Sequence, residues 1–198
     1  MRGAVRRSCS VGLVSAAMLV LSGCSLFSAD TRNKPKPLEA LTPQNVAAPA
    51  WNQHIGAVRF PLTVATAGGA FTLGASDGTV LALAVDTGRE LWRTNVGAAL
   101  SAGVGSDGRY AAVVTQAGDL VTLEAGQVKW KKPLGTRVAT APLVAGERVF
   151  VLGVDRSVQA FDALDGRKLW TLQCPGDPLT LAQTGVLAPF KNTLIVGQ

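Results

Sequence analysis

Few residues in this chain are of types that do chemistry, so their spacing decides what they can do together. There are three cysteines, Cys9, Cys24 and Cys174, and one histidine, His54. A lone imidazole with no second ligand or paired carboxylate nearby makes neither a metal set nor a base with an orienting partner, and His54 reads as a surface residue. Asp77, Asp107, Asp155 and Asp165 all stand in turn sequences, where a short carboxylate caps backbone amides. Gly103-x-Gly105 lacks the strand-to-helix setting that a phosphate loop requires. Cys174, which precedes Pro175, reads as a free structural thiol. No catalytic residue, metal ligand or cofactor-binding residue is expected from this set.

Cys24 is different because of what precedes it. Arg2, Arg6 and Arg7 form a positive start with no acidic residue, and Val11 to Leu21 is an apolar run of 11 residues. Such a run is short for a mature membrane span and suits a cleaved signal. It ends in Leu21-Ser22-Gly23-Cys24, which resembles the signal of bacterial lipoproteins. That resemblance implies cleavage before Cys24 and transfer of a diacylglycerol to its sulfur; Ser25 in place of Asp implies sorting to the outer membrane. Several acyl chains on one residue, at about 0.8 kcal/mol per buried CH₂, make a stable anchor. The expected organisation is a signal over 1–23, a lipidated Cys24 with a flexible tether over 24–50, and a folded domain over 51–198.

The tether follows from composition. Pro35, Pro37, Pro43 and Pro49 recur among small and polar residues, a mixture that cannot bury enough surface to fold. Loss of the three signal arginines lowers the formal net charge from +6 to +3, with 16 Lys and Arg against 13 Asp and Glu. The basic residues are scattered, so no nucleic-acid footprint is present. The short cluster Lys129, Lys131 and Lys132 reads as a solvated strand edge that discourages edge-to-edge pairing. With Cys9 in the signal and Cys24 lipidated, Cys174 has no partner for an internal disulfide.

The elements that carry these residues repeat. Trp51, Trp92, Trp130 and Trp170 are the only tryptophans, spaced by 41, 38 and 40 residues. The last three each close a phrase of polar turn, apolar run, Gly-containing turn and Trp. A period of about 40 residues built from strand and turn signals is that of a propeller blade. Strands are expected at Phe71–Gly74, Val80–Val85, Glu90–Asn95, Tyr110–Thr115, Leu120–Glu124, Val128–Lys131, Arg148–Gly153, Val158–Asp162, Lys168–Gln173 and Thr193–Val196. Several are apolar on both faces, as in Val80-Leu81-Ala82-Leu83-Ala84-Val85, which implies sheets sandwiched between neighbours. The fold class is therefore all-β, a partial β-propeller of four-stranded blades. From Trp51 onward there are 148 residues, which is just under four such blades. Asn192–Gln198 reads as the start of a fourth, so the chain is expected to be about half of an eight-bladed propeller.

Ala160-x-Asp162-x-x-Asp165-Gly166-x-x-x-Trp170 resembles the repeat of quinoprotein-type propellers, and Ala82, Gly88 and Trp92 form a second copy. Thr122, Gly126 and Trp130 form a shortened third. The resemblance implies that each Trp docks on a neighbouring blade, with Gly88, Gly126 and Gly166 leaving room for indoles. On that basis Trp92→Ala or Trp170→Ala is expected to cost about 3–5 kcal/mol. Quinone dehydrogenases also share an adjacent cysteine pair, which a mature chain with one free cysteine cannot form. Lipobox, tether and catalytically empty blades together resemble the BamB family of outer-membrane assembly lipoproteins. This implies a non-catalytic scaffold on the periplasmic face of the outer membrane. Its partners would be a BamA-like barrel-assembly subunit and other members of the BAM complex. Leu179 and Leu181, in Pro178-Leu179-Thr180-Leu181-Ala182-Gln183, match the family's partner-binding leucines, with Ala182 where the family has Arg; packing on the next blade is the other reading of both leucines. The alternatives are a fragment of a quinone-dependent periplasmic dehydrogenase, or a periplasmic propeller acting as a sensor or binding lipoprotein.

Overall fold

Residues that alternate along β6 (Tyr110–Val114) face two different neighbours, and this explains why the strand has no polar side. Ala111 and Val113 join Val80, Leu100, Val104, Val121 and Leu123 in one apolar cluster. Tyr110, Ala112 and Val114 join Leu120, Trp130, Val144, Val149 and Phe161 in another. Each cluster is a seam between sheets, and burial at both seams makes the strand apolar throughout. The computed structural model describes residues 48–176 and 185–197, within a compact unit that spans Ala48–Gln198. Cys24, the tether as far as residue 47, and Leu179, Leu181 and Ala182 lie outside the described residues.

The architecture is three four-stranded antiparallel sheets and one two-stranded sheet, each a meander in chain order. The first comprises β1 (Ala65–Ala67), β2 (Ala70–Gly74), β3 (Thr79–Ala84) and β4 (Glu90–Asn95). The second comprises β5 (Gly105–Ser106), β6, β7 (Asp119–Glu124) and β8 (Gln127–Pro133). The third comprises β9 (Leu143–Ala145), β10 (Arg148–Leu152), β11 (Ser157–Asp162) and β12 (Lys168–Gln173). The pair β13 (Val186–Phe190) and β14 (Thr193–Gly197) begins a fourth sheet. β1, β5, β9 and β13 lie next to one another on the inner side, and β4, β8 and β12 are the outer edges. The result is a partial β-propeller.

All ten expected strands are present, with ends moved by one or two residues. Four strands were not expected, and they are the innermost strand of every sheet: β1, β5, β9 and β13. Thr193–Gly197 is accordingly the second strand of its sheet, paired with β13, and not the first. The inner strands escape notice because small residues crowd the axis. A Cβ on Gly105 would come within 2.0 Å of the Pro142 carbonyl oxygen, and one on Gly103 within 2.7 Å of the Thr63 side chain. Gly103-x-Gly105 thus serves close approach of neighbouring sheets.

The outer half of each seam closes on an indole. Trp51 lies against Gly88 of the first sheet, Trp92 against Gly126 of the second, and Trp130 against Gly166 of the third. These glycines sit in the turns before β4, β8 and β12 with φ of +65°, +79° and +71°. A side chain there would be strained and would also strike the ring; on Gly166 a Cβ would lie 2.6 Å from Trp130 Cδ2. Trp51 and Trp130 donate Nε1–H to the carbonyls of Val85 at 3.0 Å and Ala163 at 2.9 Å. In the middle seam, Thr94 Oγ1 donates to the Gly126 carbonyl. Trp92, Trp130 and Trp170 stand opposite Ala82, Thr122 and Ala160, each beside a β-bulge that turns the ring toward the next sheet.

Trp170 departs from this pattern. It is 40% exposed, against 9% for Trp130. Its ring leans on Phe150 of its own sheet at 5.9 Å, and no glycine seat receives it among the described residues. Within the described residues Trp170 therefore covers less apolar surface than Trp130 does. Trp130→Ala should destabilise the protein by about 3–5 kcal/mol, whereas Trp170→Ala should cost about 1–2 kcal/mol because less apolar area leaves water there. Urea unfolding of the two variants checks the ranking, and equal losses would refute it.

Candidate partner-binding face

One face of the arc is built from the turns between second and third strands and the connections between sheets. The turns close with Ala75 N–H on Thr79 O at 2.8 Å, Thr115 N–H on Asp119 O at 2.9 Å, and Gly153 N–H on Ser157 O at 2.8 Å. The first two connections are tied to these turns at their start and again further along, and the third at its start. Where each connection begins, the N–H of Val96, Leu134 or Cys174 donates to the carbonyl of Gly78, Gly118 or Arg156, at 3.0, 2.9 and 3.1 Å. Further along, Ala57, Ala99 and Arg137 offer carbonyls to the N–H groups of Ser76, Gln116 and Val154, at 3.0, 2.8 and 2.9 Å. The backbone of this face is thus fixed and repetitive, and its side chains are free to differ.

The third connection does differ. Residues 96–104 and 134–142 span nine positions each between sheets, whereas 174–185 span twelve. Both shorter connections turn on a glycine with positive φ, Gly97 at +76° and Gly135 at +74°. In the third, Pro175 stands at the same place, and a ring that locks φ near −65° cannot make that turn. This is the connection that carries Leu179 and Leu181. Cys174, half-buried, is a free cysteine at its start.

Carboxylates in the turns at both ends of the sheets are committed to structure. Asp77 accepts from Thr79 N–H at 2.9 Å, Asp107 from Tyr110 N–H at 2.8 Å, Asp155 from Ser157 N–H at 3.0 Å, and Asp165 from Arg167 N–H at 2.8 Å. Each is the amide cap that its turn sequence suggests. Burial raises the Asp155 carboxyl, but hydrogen bonds from the Ser157 hydroxyl and amide and from Thr136 outweigh it and hold the group below the usual carboxylate range. Lys129 and Lys131 of the basic cluster pair with Glu124 and Asp119 of the adjacent strand at 3.0 and 2.9 Å. His54 is exposed. No group of three or more His, Cys, Asp or Glu is placed to hold a metal ion among the described residues. A cavity of about 430 Å³ at the inner strands is lined by Thr63, Gly103, Gly105, Thr140 and Pro142 among others, with no ionisable side chain.

Sequence reasoning missed two residues that matter here. Trp51 marked the start of the domain, yet it fills the first glycine seat, and Gln53 Nε2 donates to the Gly88 carbonyl at 3.1 Å beside it. Their signal was the 41-residue spacing to Trp92. Arg156 was passed over as a turn residue; its φ is +66°, where the sister turns have Gly78 and Gly118.

Residues 76–198 match the family model described as outer membrane protein assembly factor BamB. The chain belongs to this family. An outer membrane protein assembly factor BamB of Bordetella pertussis is 34% identical over 190 residues, covering 93% of this chain and 49% of the relative. That of Burkholderia pseudomallei is 34% identical over 169 residues, covering 84% and 44%. The crystal structure of BamB from Moraxella catarrhalis aligns with a TM-score of 0.52 at 22% identity, over 62% of this chain and 39% of that one, a likeness of fold. The chain spans about half the length of the curated relatives it matches.

Asp155 generates a prediction about acid. Its folded-state carboxyl titrates below the ordinary value of 3.8, so the stability it contributes is full above that value and is lost as pH falls through the lower one. Asp155→Asn should therefore lower the urea midpoint at about pH 7, and the gap from the parent should shrink at about pH 3. A gap that widens on acidification would contradict the assignment.

Proposed function

We propose that this chain is a non-catalytic scaffold lipoprotein of the outer-membrane β-barrel assembly machinery. In this reading the signal over 1–23 is removed, Cys24 carries the lipid, and residues 24–50 hold the folded part off the membrane on its periplasmic side. The folded part, 51–198, then presents its connections to a BamA-like subunit and other members of that machinery. Leu179 and Leu181 of the third connection are the proposed apolar contacts, with Trp92, Trp130, Gly88, Gly126 and Gly166 keeping the blades stacked beneath them.

The observation that carries the reading is the departure of residues 174–185 from two sister connections that share one length and one turn. A rigid repeat with one divergent connection suits recognition, because a surface that is ordered before binding loses little entropy on association. Membership of the BamB family supports the same role. No feature among the described residues favours the dehydrogenase alternative: the carboxylates serve as caps and ion pairs, as the hydrogen bonds above require.

A few well-packed side chains near the centre of a contact commonly carry most of its affinity. Leu179→Ala with Leu181→Ala should weaken capture of the barrel-assembly subunit by at least about tenfold, with no change in melting temperature. Crosslinked pull-down from outer membranes measures this. Undiminished capture would remove these residues from the interface, and alcohol oxidation on adding quinone and calcium would overturn the reading as a whole. Cys24→Ser should release the protein from membranes on fractionation; retention would count against the anchor.

A further inference from the structure

Arg156 occupies a backbone conformation that its own repeat assigns to glycine. The last turn residue before the third strand is Gly78 in the first sheet (φ +95°), Gly118 in the second (φ +84°) and Arg156 in the third (φ +66°). The three turns are otherwise the same, since each of these residues accepts from the first amide of the following connection. A non-glycine residue at positive φ brings Cβ against its own carbonyl. Three other such residues, Ala125, Glu147 and Lys191, sit in two-residue hairpin turns whose geometry demands that conformation. Arg156 is not in one.

The surroundings show what the side chain meets. In the first sheet a Cβ on Gly78 would come within 2.5 Å of the Ala98 carbonyl oxygen, so the connection there leaves no room. In the third sheet the connection turns away at Pro175, and the guanidinium of Arg156 lies against Gly176, where any Cβ would overlap Cζ and both terminal nitrogens. Gly176 itself has φ of +143°. Arg156 also holds the connection by its backbone, through Cys174 N–H at 3.1 Å. Next to it, Gln173 Nε2 donates to the Asp155 carbonyl at 2.7 Å. Two departures from the repeat are therefore linked: proline replaces glycine where the connection leaves, and arginine replaces glycine where the connection is held.

We propose that Arg156 is a positioning residue for the partner contact: its guanidinium, set against Gly176, fixes the direction in which residues 174–176 leave β12. This rests on the reading that Leu179 and Leu181 of that connection meet the barrel-assembly subunit. The strain at Arg156 is then offset by the placement of the connection and does not serve the sheet. Lysine is no substitute there, because its ammonium is a point charge on a flexible stem and lacks the broad, planar guanidinium that lies at Gly176.

The test uses the full lipidated protein in detergent, with Arg156→Gly, Arg156→Lys and the Leu179→Ala/Leu181→Ala variant. The probe is the purified periplasmic repeats of the BamA subunit from the same bacterium. Glycine restores the residue of the sister turns, so Arg156→Gly should melt at the parent temperature or a few degrees above it. Amide hydrogen exchange at residues 174–176 should become at least about tenfold faster, and affinity for the probe about tenfold weaker. Arg156→Lys should behave like Arg156→Gly. Parent-like exchange at 174–176 in Arg156→Gly overturns the proposal, as does parent-like affinity in that variant when the double leucine variant has lost binding. If the double leucine variant binds as the parent does, the reading of the contact falls, and exchange at 174–176 alone decides whether Arg156 holds the connection.

Discussion

Indole rings laid against backbone glycines hold one sheet of this protein to the next, and the remaining structure is arranged so that each ring can reach its seat. The seat needs three things at once. The turn before the outer strand must carry a residue without Cβ at positive φ, as Gly88, Gly126 and Gly166 do. The residue across from the ring must be small, as Ala82 and Thr122 are. A β-bulge must rotate the outer strand so that its Trp points forward to the next sheet. A carbonyl in the neighbouring sheet then satisfies the indole N–H where one is in reach, as at Val85 and Ala163. An aromatic side chain that buries both its apolar body and its donor is an effective tie between sheets joined only by their connecting loops.

From this constraint follows the division of labour in the molecule. The second and third strands of the three four-stranded sheets are committed to two seams, and most of their residues are buried; β6 is buried at all five positions. The outer strands meet water and carry charges such as Lys129 and Lys131, which reach carboxylates at the two ends of β7. The carboxylates in turns are bound to amides two or three residues on. The connections 96–104 and 134–142 are each held by backbone hydrogen bonds at their start and further along, so residues between those points can change without loosening the core. The third connection departs from both in its length, in Pro175, and in the arginine that meets it at Gly176.

Much of this was legible along the chain. The tryptophan period, the apolar runs of β3, β7, β10 and β11, and the Asp-led turns all depend on residues within one repeat, where local sterics and periodicity speak directly. The inner strands were not legible. β5 is two residues long and β1 reads only Ala-Thr-Ala; their strand character comes from neighbours packed around an axis and not from alternation of their own side chains. The lipid anchor and the partner leucines, Cys24, Leu179 and Leu181, came from resemblance and stand as proposals.

Sequence alone determined the class of the fold, the number of complete sheets and the poverty of reactive groups, because each is a property of composition and short-range pattern. Tertiary structure decided which ring meets which glycine, that Trp51 fills a seat while Trp170 packs on Phe150 of its own sheet and stays 40% exposed, and that Arg156 bears on Gly176. Those outcomes join residues from 20 to more than 30 positions apart. Only the stacking of one sheet upon the next brings such residues into contact, and no periodicity within a single repeat records it.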